Sequence, residues 1–120
     1  MNGHVDDFLR ALLDVTVRAS TDDSLSVVPV WIDTAFNGEF VFPHKLIKKL
    51  KLEQQAATDA ILADGKTVTL AAYVCLLDWF GEVRMVQVIA NDGNVPLLGT
   101  ELLAQRVLRI DYADKQLTLD

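Results

Sequence analysis

The chain has 120 residues, of which 51% are hydrophobic, and this predicts one compact domain spanning 1–120. Its 17 acidic and 11 basic side chains leave a net charge of −6. This balance argues against nucleic acid and anionic membranes as partners, because both recruit clustered positive charge. The one basic cluster is expected to be a solvated helix face and comprises Lys45, Lys48, Lys49 and Lys51.

The cysteine count and the first residues indicate the compartment. Cys75 is the only cysteine, so no intrachain disulfide is possible, whereas small secreted domains usually need such links. The first ten residues include Asp6 and Asp7 and lack the apolar run of a signal peptide. No apolar run approaches the length of a membrane span. The sequence therefore predicts a soluble, cytoplasmic protein.

The first predicted elements are two strands joined as a hairpin. Residues 11–19 end in apolar–polar alternation, and residues 25–32 are rich in β-branched side chains. A polar turn at 21–24 separates them. Pro29 has no backbone N–H, so the second strand should lie at a sheet edge or be irregular at that point.

A loop, a short strand and a helix follow the hairpin. The loop covers 33–38, where small and turn-forming residues cluster, and the strand covers 39–42. Pro43 suits the first position of a helix over 44–50, since the first helical residue needs no N–H donor. One face of that helix is apolar and the other carries lysines.

The second half predicts further strands and one more short helix. Its elements are a strand at 60–63, a hairpin turn at 64–65, a long strand over 66–78, a turn at 80–81, a strand over 82–90, a loop at 91–94, a helix over 101–105, and final strands over 107–112 and 116–119. The fold class predicted is all-β with one or two short helices.

The sequence lacks the residue patterns that several kinds of catalytic or binding site require. His4, His44 and Cys75 are far apart and form no zinc pattern. There is no Gly-x-Ser-x-Gly motif for a serine hydrolase, no phosphate-binding loop and no dinucleotide fingerprint. Cys75 stands between Val74 and Leu76 and is expected to be a small core residue. We therefore expect neither a metal nor a cofactor.

Two short motifs remain, Asp33-Thr34-Ala35 at the end of an apolar strand and Leu97-Leu98-Gly99 before a short helix. With the hairpin turn between them, and the phrase DTAFNGEF that begins at Asp33, the chain resembles the retropepsin-like aspartic proteases, particularly their small bacterial members. The resemblance runs from about Gly3 to the end. It implies a retropepsin-like half-barrel that forms a homodimer.

The resemblance also implies a mechanism. Two carboxyls within hydrogen-bond reach share one proton, so that one activates a water and the other polarises the peptide carbonyl. One chain supplies only Asp33, so the second carboxyl would be Asp33 of a second copy at a two-fold axis. Thr34 would hydrogen-bond across the interface. Ala35 stands where the family usually has Gly, which tolerates backbone angles that Ala resists.

Other residues take their expected roles from the same resemblance. Leu97, Leu98 and Gly99 would support the Asp33 loop and help to line the substrate pocket. A flap that covers an extended polypeptide substrate would be formed by the hairpin tip, consisting of Ala63, Asp64, Gly65 and Lys66.

Simpler structural interpretations of the same residues remain open. Asp33 alone would be a turn former, and the Leu-Leu-Gly tract alone would be core before a helix. Trp31 and Trp79 are expected in the core or an interface, and His44 in solvent. Because Ala35 and the single-glycine flap tip depart from the family pattern, the chain could also be a protease-fold module that binds peptides or assembles without cleaving. The N-terminal segment 1–9 could be free to contact a partner.

Overall fold

The computed structural model describes residues 1–55, 57–61 and 63–120. The structure consists mainly of β-strands, with one α-helix and one short 3-10 helix. The strands are β1 (Asn2–Val5), β2 (Ala11–Arg18), β3 (Ser26–Ile32), β4 (Phe40–Pro43), β5 (Glu53–Gln54), β6 (Thr58–Ile61), β7 (Thr67–Leu70), β8 (Ala72–Trp79), β9 (Glu82–Asn91), β10 (Leu97–Leu98), β11 (Leu108–Asp111) and β12 (Gln116–Leu119). Helix α1 covers His44–Leu50, and the 3-10 helix covers Thr100–Leu102.

The predicted hairpin of β2 and β3 is confirmed. The two strands pair antiparallel from Leu12 opposite Trp31 to Val17 opposite Ser26. Alternate side chains of each strand are buried, because successive side chains of a strand point to opposite faces of the sheet. Pro29 lies opposite Asp14.

Pro29 occupies an edge position, as its missing donor predicts. The Trp31 N–H donates to the Pro96 carbonyl at 2.8 Å, on the side of β3 that faces away from β2. The nitrogen of Pro29 faces the same side, because alternate residues of a strand point the same way. On that side β10 pairs only with the last two residues of β3, so Pro29 disrupts no ladder.

A closed ring of strands builds the core. The order β3, β10, β4, β9, β8 returns to β2, which pairs with both β3 and β8. Two of these strand pairs, β3 with β10 and β4 with β9, are parallel. The strands of each parallel pair are therefore joined by a long crossover connection and not by a hairpin. The ring encloses side chains from every one of these strands, including Leu13, Val30, Phe40, Leu77 and Val88.

Two sequence predictions are wrong. Instead of one strand over 66–78, β7 ends at Leu70 and β8 begins at Ala72, because β7 pairs with β6 while β8 pairs with β9. Instead of a helix over 101–105, there is a single 3-10 turn, and Gln105 has a left-handed φ of 62°. Two residues later the chain already pairs with its C-terminal end, because the Val107 N–H donates to the Asp120 carbonyl at 2.9 Å.

The N-terminal segment is not a free arm. β1 pairs with β2 on one side and with β12 on the other. The Met1 amino group donates to the Leu119 carbonyl at 2.6 Å, and the Leu119 N–H donates back to Met1 at 2.8 Å. The sequence reading missed β1, since residues 2–5 carry a single large apolar side chain, Val5, and show no apolar–polar alternation.

Candidate active site

Asp33 begins the loop that follows β3 and is half-buried. Its backbone N–H donates to the Leu98 carbonyl at 2.8 Å, and its own carbonyl accepts the Phe36 N–H at 3.2 Å. The Ala35 N–H donates to Asp33 Oδ1 at 3.0 Å. The carboxylate is therefore oriented by its own loop, and Oδ2 accepts no hydrogen bond from the described residues.

The Leu-Leu-Gly tract lies directly beside this loop. Leu97 and Leu98 form β10, between β3 and β4, with Leu98 opposite Ile32 and Phe40. Leu98 is fully buried, whereas Leu97 is half-buried and points to the opposite face, as neighbours on a strand must. The tract thus places one leucine in the core and one beside Asp33.

Close packing of Gly99 holds the two segments together. The Gly99 N–H donates to the Glu39 carbonyl at 2.8 Å, and the Thr100 N–H donates to the Phe36 carbonyl at 2.8 Å. The Thr100 hydroxyl also reaches the Phe36 carbonyl at 3.2 Å. A Cβ on Gly99 would overlap the Gly38 carbonyl oxygen and would lie 2.7 Å from that of Phe36. Only glycine fits this position.

Asp33 opens into a cleft of about 350 Å³. Its lining residues come from β3, the loop and β10, and they are Trp31, Ile32, Asp33, Thr34, Ala35 and Leu97. Thr34 and Ala35 are exposed, and Thr34 makes no side-chain hydrogen bond with the residues that the structure describes. The cleft therefore combines apolar walls with one carboxylate.

Arg10 approaches this cleft, and the sequence reading missed it. Its guanidinium lies 5.9 Å from the centre of the Trp31 ring and is held by Asp6 through a 2.7 Å hydrogen bond from Nε. Partial burial of Asp6 raises the pKa of its carboxyl, but hydrogen bonds from Arg10 and Phe8 outweigh this and leave the pKa below its ordinary value. Asp6 and Arg10 face each other across the turn between β1 and β2, where the Asp6 N–H donates to the Arg10 carbonyl at 3.0 Å.

The predicted flap forms a separate two-stranded sheet of β6 and β7. At its tip the Lys66 N–H donates to Asp64 Oδ1 at 3.0 Å, and Gly65 has a φ of 85°, which favours glycine. Ala63, Asp64, Gly65 and Lys66 are all exposed. They do not line the cleft, so this single chain does not bring the hairpin tip and Asp33 together.

Solved structures share this arrangement of strands. The chain superposes on a crystal structure of a retropepsin-like aspartic protease from Rickettsia conorii with a TM-score of 0.66 and 15% identity, covering 99% of this chain and 88% of that one. It also superposes on the EIAV protease complexed with the inhibitor HBY-793, with a TM-score of 0.55 and 18% identity, covering 80% and 86% of the two chains. The chain has a retropepsin-like fold. No protein-family model and no curated protein matches its sequence.

Within this retropepsin-like fold, Glu39 connects the Asp33 loop to β9. Its carboxylate accepts the Gln87 N–H at 2.8 Å and lies 3.4 Å from Arg84 Nη2. Its backbone carbonyl is the acceptor for Gly99. Sequence reasoning missed this role, because the partners lie far along the chain and only the parallel pairing of β4 with β9 brings them near.

The other candidate residues lie away from the cleft. Trp79 and Cys75 are buried in the core, as predicted. His44 is exposed and lies 3.4 Å from Asp92, beside a cavity of about 460 Å³ between β3, α1 and the 91–94 loop. That cavity is the larger one, but it contains neither Asp33 nor the Leu-Leu-Gly tract.

Neither metal ligation nor a membrane helix is supported by the described part of the chain. It holds no group of three His, Cys, Asp or Glu side chains placed to share an ion. Nor does it contain a helix with the length and apolar character that crossing a bilayer requires.

Proposed function

We propose that the chain, as one retropepsin-like domain, is an aspartic endopeptidase whose active site forms between two copies. The observation that carries the proposal is the position of Asp33, at the mouth of an apolar cleft and bonded through its backbone to Leu98. The fold shared with the Rickettsia and EIAV proteases supports this reading.

Asp33 from each copy would supply one carboxyl of the dyad. A pair of carboxyls in contact holds a single shared proton, because like charges at that distance cannot both ionise easily. The ionised member takes a proton from the water that attacks the carbonyl carbon, and the protonated member donates to the carbonyl oxygen. The C–N bond then breaks as the dyad gives a proton to the leaving nitrogen and takes one back from the diol, so the pair again holds one proton. Hydrolysis needs no cofactor in this scheme.

The remaining site residues would bind and position a polypeptide. Leu97 and Trp31 would make apolar contacts with substrate side chains on either side of Asp33. The hydroxyl of the exposed Thr34 would form a hydrogen bond with the second copy. The tip of the β6–β7 hairpin would close over the extended substrate and exclude water.

As the protein carries one buried thiol, the reducing cytoplasm suits it.

A second function keeps the fold and omits the cleavage. Ala35 replaces the glycine of the family pattern, and the hairpin tip carries the single glycine Gly65. In this alternative the homodimer binds an extended peptide, or assembles with a partner, through the same apolar cleft.

Cleavage of a peptide mixture, followed by mass spectrometry between pH 4 and pH 8, tests the proposal. The wild-type chain should cleave with a bell-shaped pH profile centred below neutral, and Asp33→Asn should reduce the rate by at least about 100-fold. Asp22→Asn, in the exposed turn after β2, is the matched control and should cleave like the wild type.

The oligomeric state is measured on the same samples by sedimentation equilibrium. A strict monomer at every concentration, or cleavage by Asp33→Asn at the wild-type rate, would overturn the dyad. A dimer that binds peptides from the mixture but cleaves none would favour the non-cleaving alternative.

A further inference from the structure

The first half of β3 has an open edge on the side that faces away from β2. The Trp31 N–H donates to the Pro96 carbonyl on that side. The N–H and carbonyl of Val27 point the same way, because alternate residues of a strand face alike. β10 pairs only with Trp31 and Ile32, so no strand in the described part of the chain pairs with Val27 there. The backbone groups of Val27 and the carbonyl of Pro29 are therefore available to an added strand.

A cavity of about 460 Å³ lies directly beside this edge. It is lined by Val27 and by Pro96, which immediately precedes β10, so it occupies the place where a longer β10 would continue along β3. Pro29, Pro43 and Leu46 add apolar walls. The Val27 side chain is itself 65% exposed. An extended peptide in this cavity would find both backbone partners and apolar contacts.

Lysines of α1 form one rim of the cavity. Lys45 and Lys49 are one helical turn apart, and both are exposed and line the cavity. Neither forms an ion pair with the residues that the structure describes. Lys48 is on the same helix but does not line the cavity. The one acid on the opposite rim is Asp92, which lies 3.4 Å from His44 Nε2. Positive charge therefore predominates here, although the chain as a whole has a net charge of −6.

The positive rim continues beyond this cavity. Lys49 also lines a second cavity, of about 310 Å³, together with Arg18 and Lys51. Asp23 is there too, but its carboxylate accepts the Ser20 hydroxyl at 2.8 Å. Arg18 Nε is buried and has no hydrogen-bond partner among the described residues, whereas buried donors are normally paired. A carboxylate bound here would supply an acceptor and would lie among three positive side chains.

We propose that these two adjoining cavities, the β3–α1 groove, bind an extended peptide in which acidic residues alternate with apolar ones. The peptide backbone pairs with Val27, and an apolar side chain contacts Leu46. Its carboxylates meet Lys45 and Lys49. The open strand edge favours a peptide over a small anion, and the apolar walls favour it over nucleic acid. Asp33 does not line the groove, so the inference goes beyond the proposed function and does not depend on it.

Fluorescence anisotropy with labelled peptides tests the specificity of the groove. The probe is GEVDVEG carrying fluorescein, and the comparison peptides are GKVKVKG and GESDSEG. Both comparison peptides should bind at least about tenfold more weakly, the first because its charge is reversed and the second because it lacks apolar side chains. Raising the salt from about 50 mM to about 500 mM should weaken binding of the probe, because exposed charges are screened. The same titrations with Asp33→Asn exclude cleavage of the probe as the source of the signal.

Charge reversal on α1 tests the rim. Lys45→Glu and Lys49→Glu should each raise the Kd for the acidic probe by at least about fivefold. Lys48→Glu is the matched control, since it makes the same charge change at an exposed site of the same helix outside the cavity, and it should alter the Kd by less than about twofold. The double variant Lys45→Glu/Lys49→Glu should bind GKVKVKG more tightly than the wild type does. Circular dichroism establishes that each variant is folded.

Amide chemical shifts measured by NMR locate the bound probe. Those of Val27, Lys45 and Asn94 should move on titration, and those of Thr34 and Leu97, in the Asp33 cleft, should not. The inference is overturned if the acidic probe does not bind, if GESDSEG binds equally well, if Lys48→Glu weakens binding as much as Lys45→Glu, or if the shifts centre on the Asp33 cleft. Each of these results leaves the proposed function standing, because Asp33-dependent cleavage is measured separately.

Discussion

The backbone N–H of Asp33 donates a 2.8 Å hydrogen bond to the carbonyl of Leu98. This bond continues the parallel pairing of β3 and β10 by one residue beyond the end of β3. It ties the first residue of the candidate catalytic loop to a tract from the far end of the chain. The position of the Asp33 carboxylate therefore depends on how well β10 and Gly99 pack.

Replacing Gly99 with alanine should destabilise the protein. The new Cβ would meet backbone carbonyls of Gly38 and Phe36, which cannot rotate away as side chains do. We expect a loss of about 1–3 kcal/mol in the free energy of unfolding, measured by denaturant titration. Gly93→Ala is the control, since its neighbours are the Asn91 side-chain atoms at 3.3 Å, and it should change stability by less than about 0.5 kcal/mol.

Leu97 and Leu98 should respond differently to truncation. Leu98→Ala removes a fully buried side chain and should cost about 2–5 kcal/mol of unfolding free energy. Leu97→Ala, at the cleft, should cost roughly 1 kcal/mol but weaken peptide binding measured by titration. Equal losses of stability in the two variants would contradict the assignment of the two faces.

Cys75 should be unreactive in the folded protein. Burial raises the pKa of its thiol to about 12, with a smaller contribution from the negative charge of Glu39. At pH 8 on the order of one thiol in ten thousand is ionised, and the thiolate is the reactive form. A thiol reagent should therefore label Cys75 only after unfolding in denaturant. Rapid labelling under native conditions would show that the site is open.

Asp6 should stabilise the fold at neutral pH and lose this effect in acid. Its folded-state pKa lies below the ordinary value of 3.8, because hydrogen bonds from Arg10 and Phe8 outweigh the effect of partial burial. A group with a lowered folded pKa stabilises above its unfolded pKa, and this is lost as the pH falls through the folded value. Asp6→Asn should lower Tm at pH 7, and the difference from wild type should shrink towards pH 2. A constant difference across this range would contradict the linkage.

Local pattern was sufficient for the β2–β3 hairpin and for α1. Alternation over β2 and β3, and the apolar face of the helix after Pro43, predicted the hairpin and α1 because each signal lies within one element. The break at Ala71 and the short 3-10 turn after Gly99 were not predictable in this way. Each depends on a partner elsewhere, β6 for the first and Asp120, which exchanges hydrogen bonds with Val107, for the second.

The sequence by itself determined the motif Asp33-Thr34-Ala35, the later Leu97-Leu98-Gly99 and the all-β class, because these depend on residue type and short spacing. Only the tertiary structure decided that Asp33 is bonded to Leu98, that Arg10 approaches Trp31, and that β1 pairs with both β2 and β12. Such contacts join residues far apart in the chain. They follow from closure of the sheet into a ring, which no local pattern encodes.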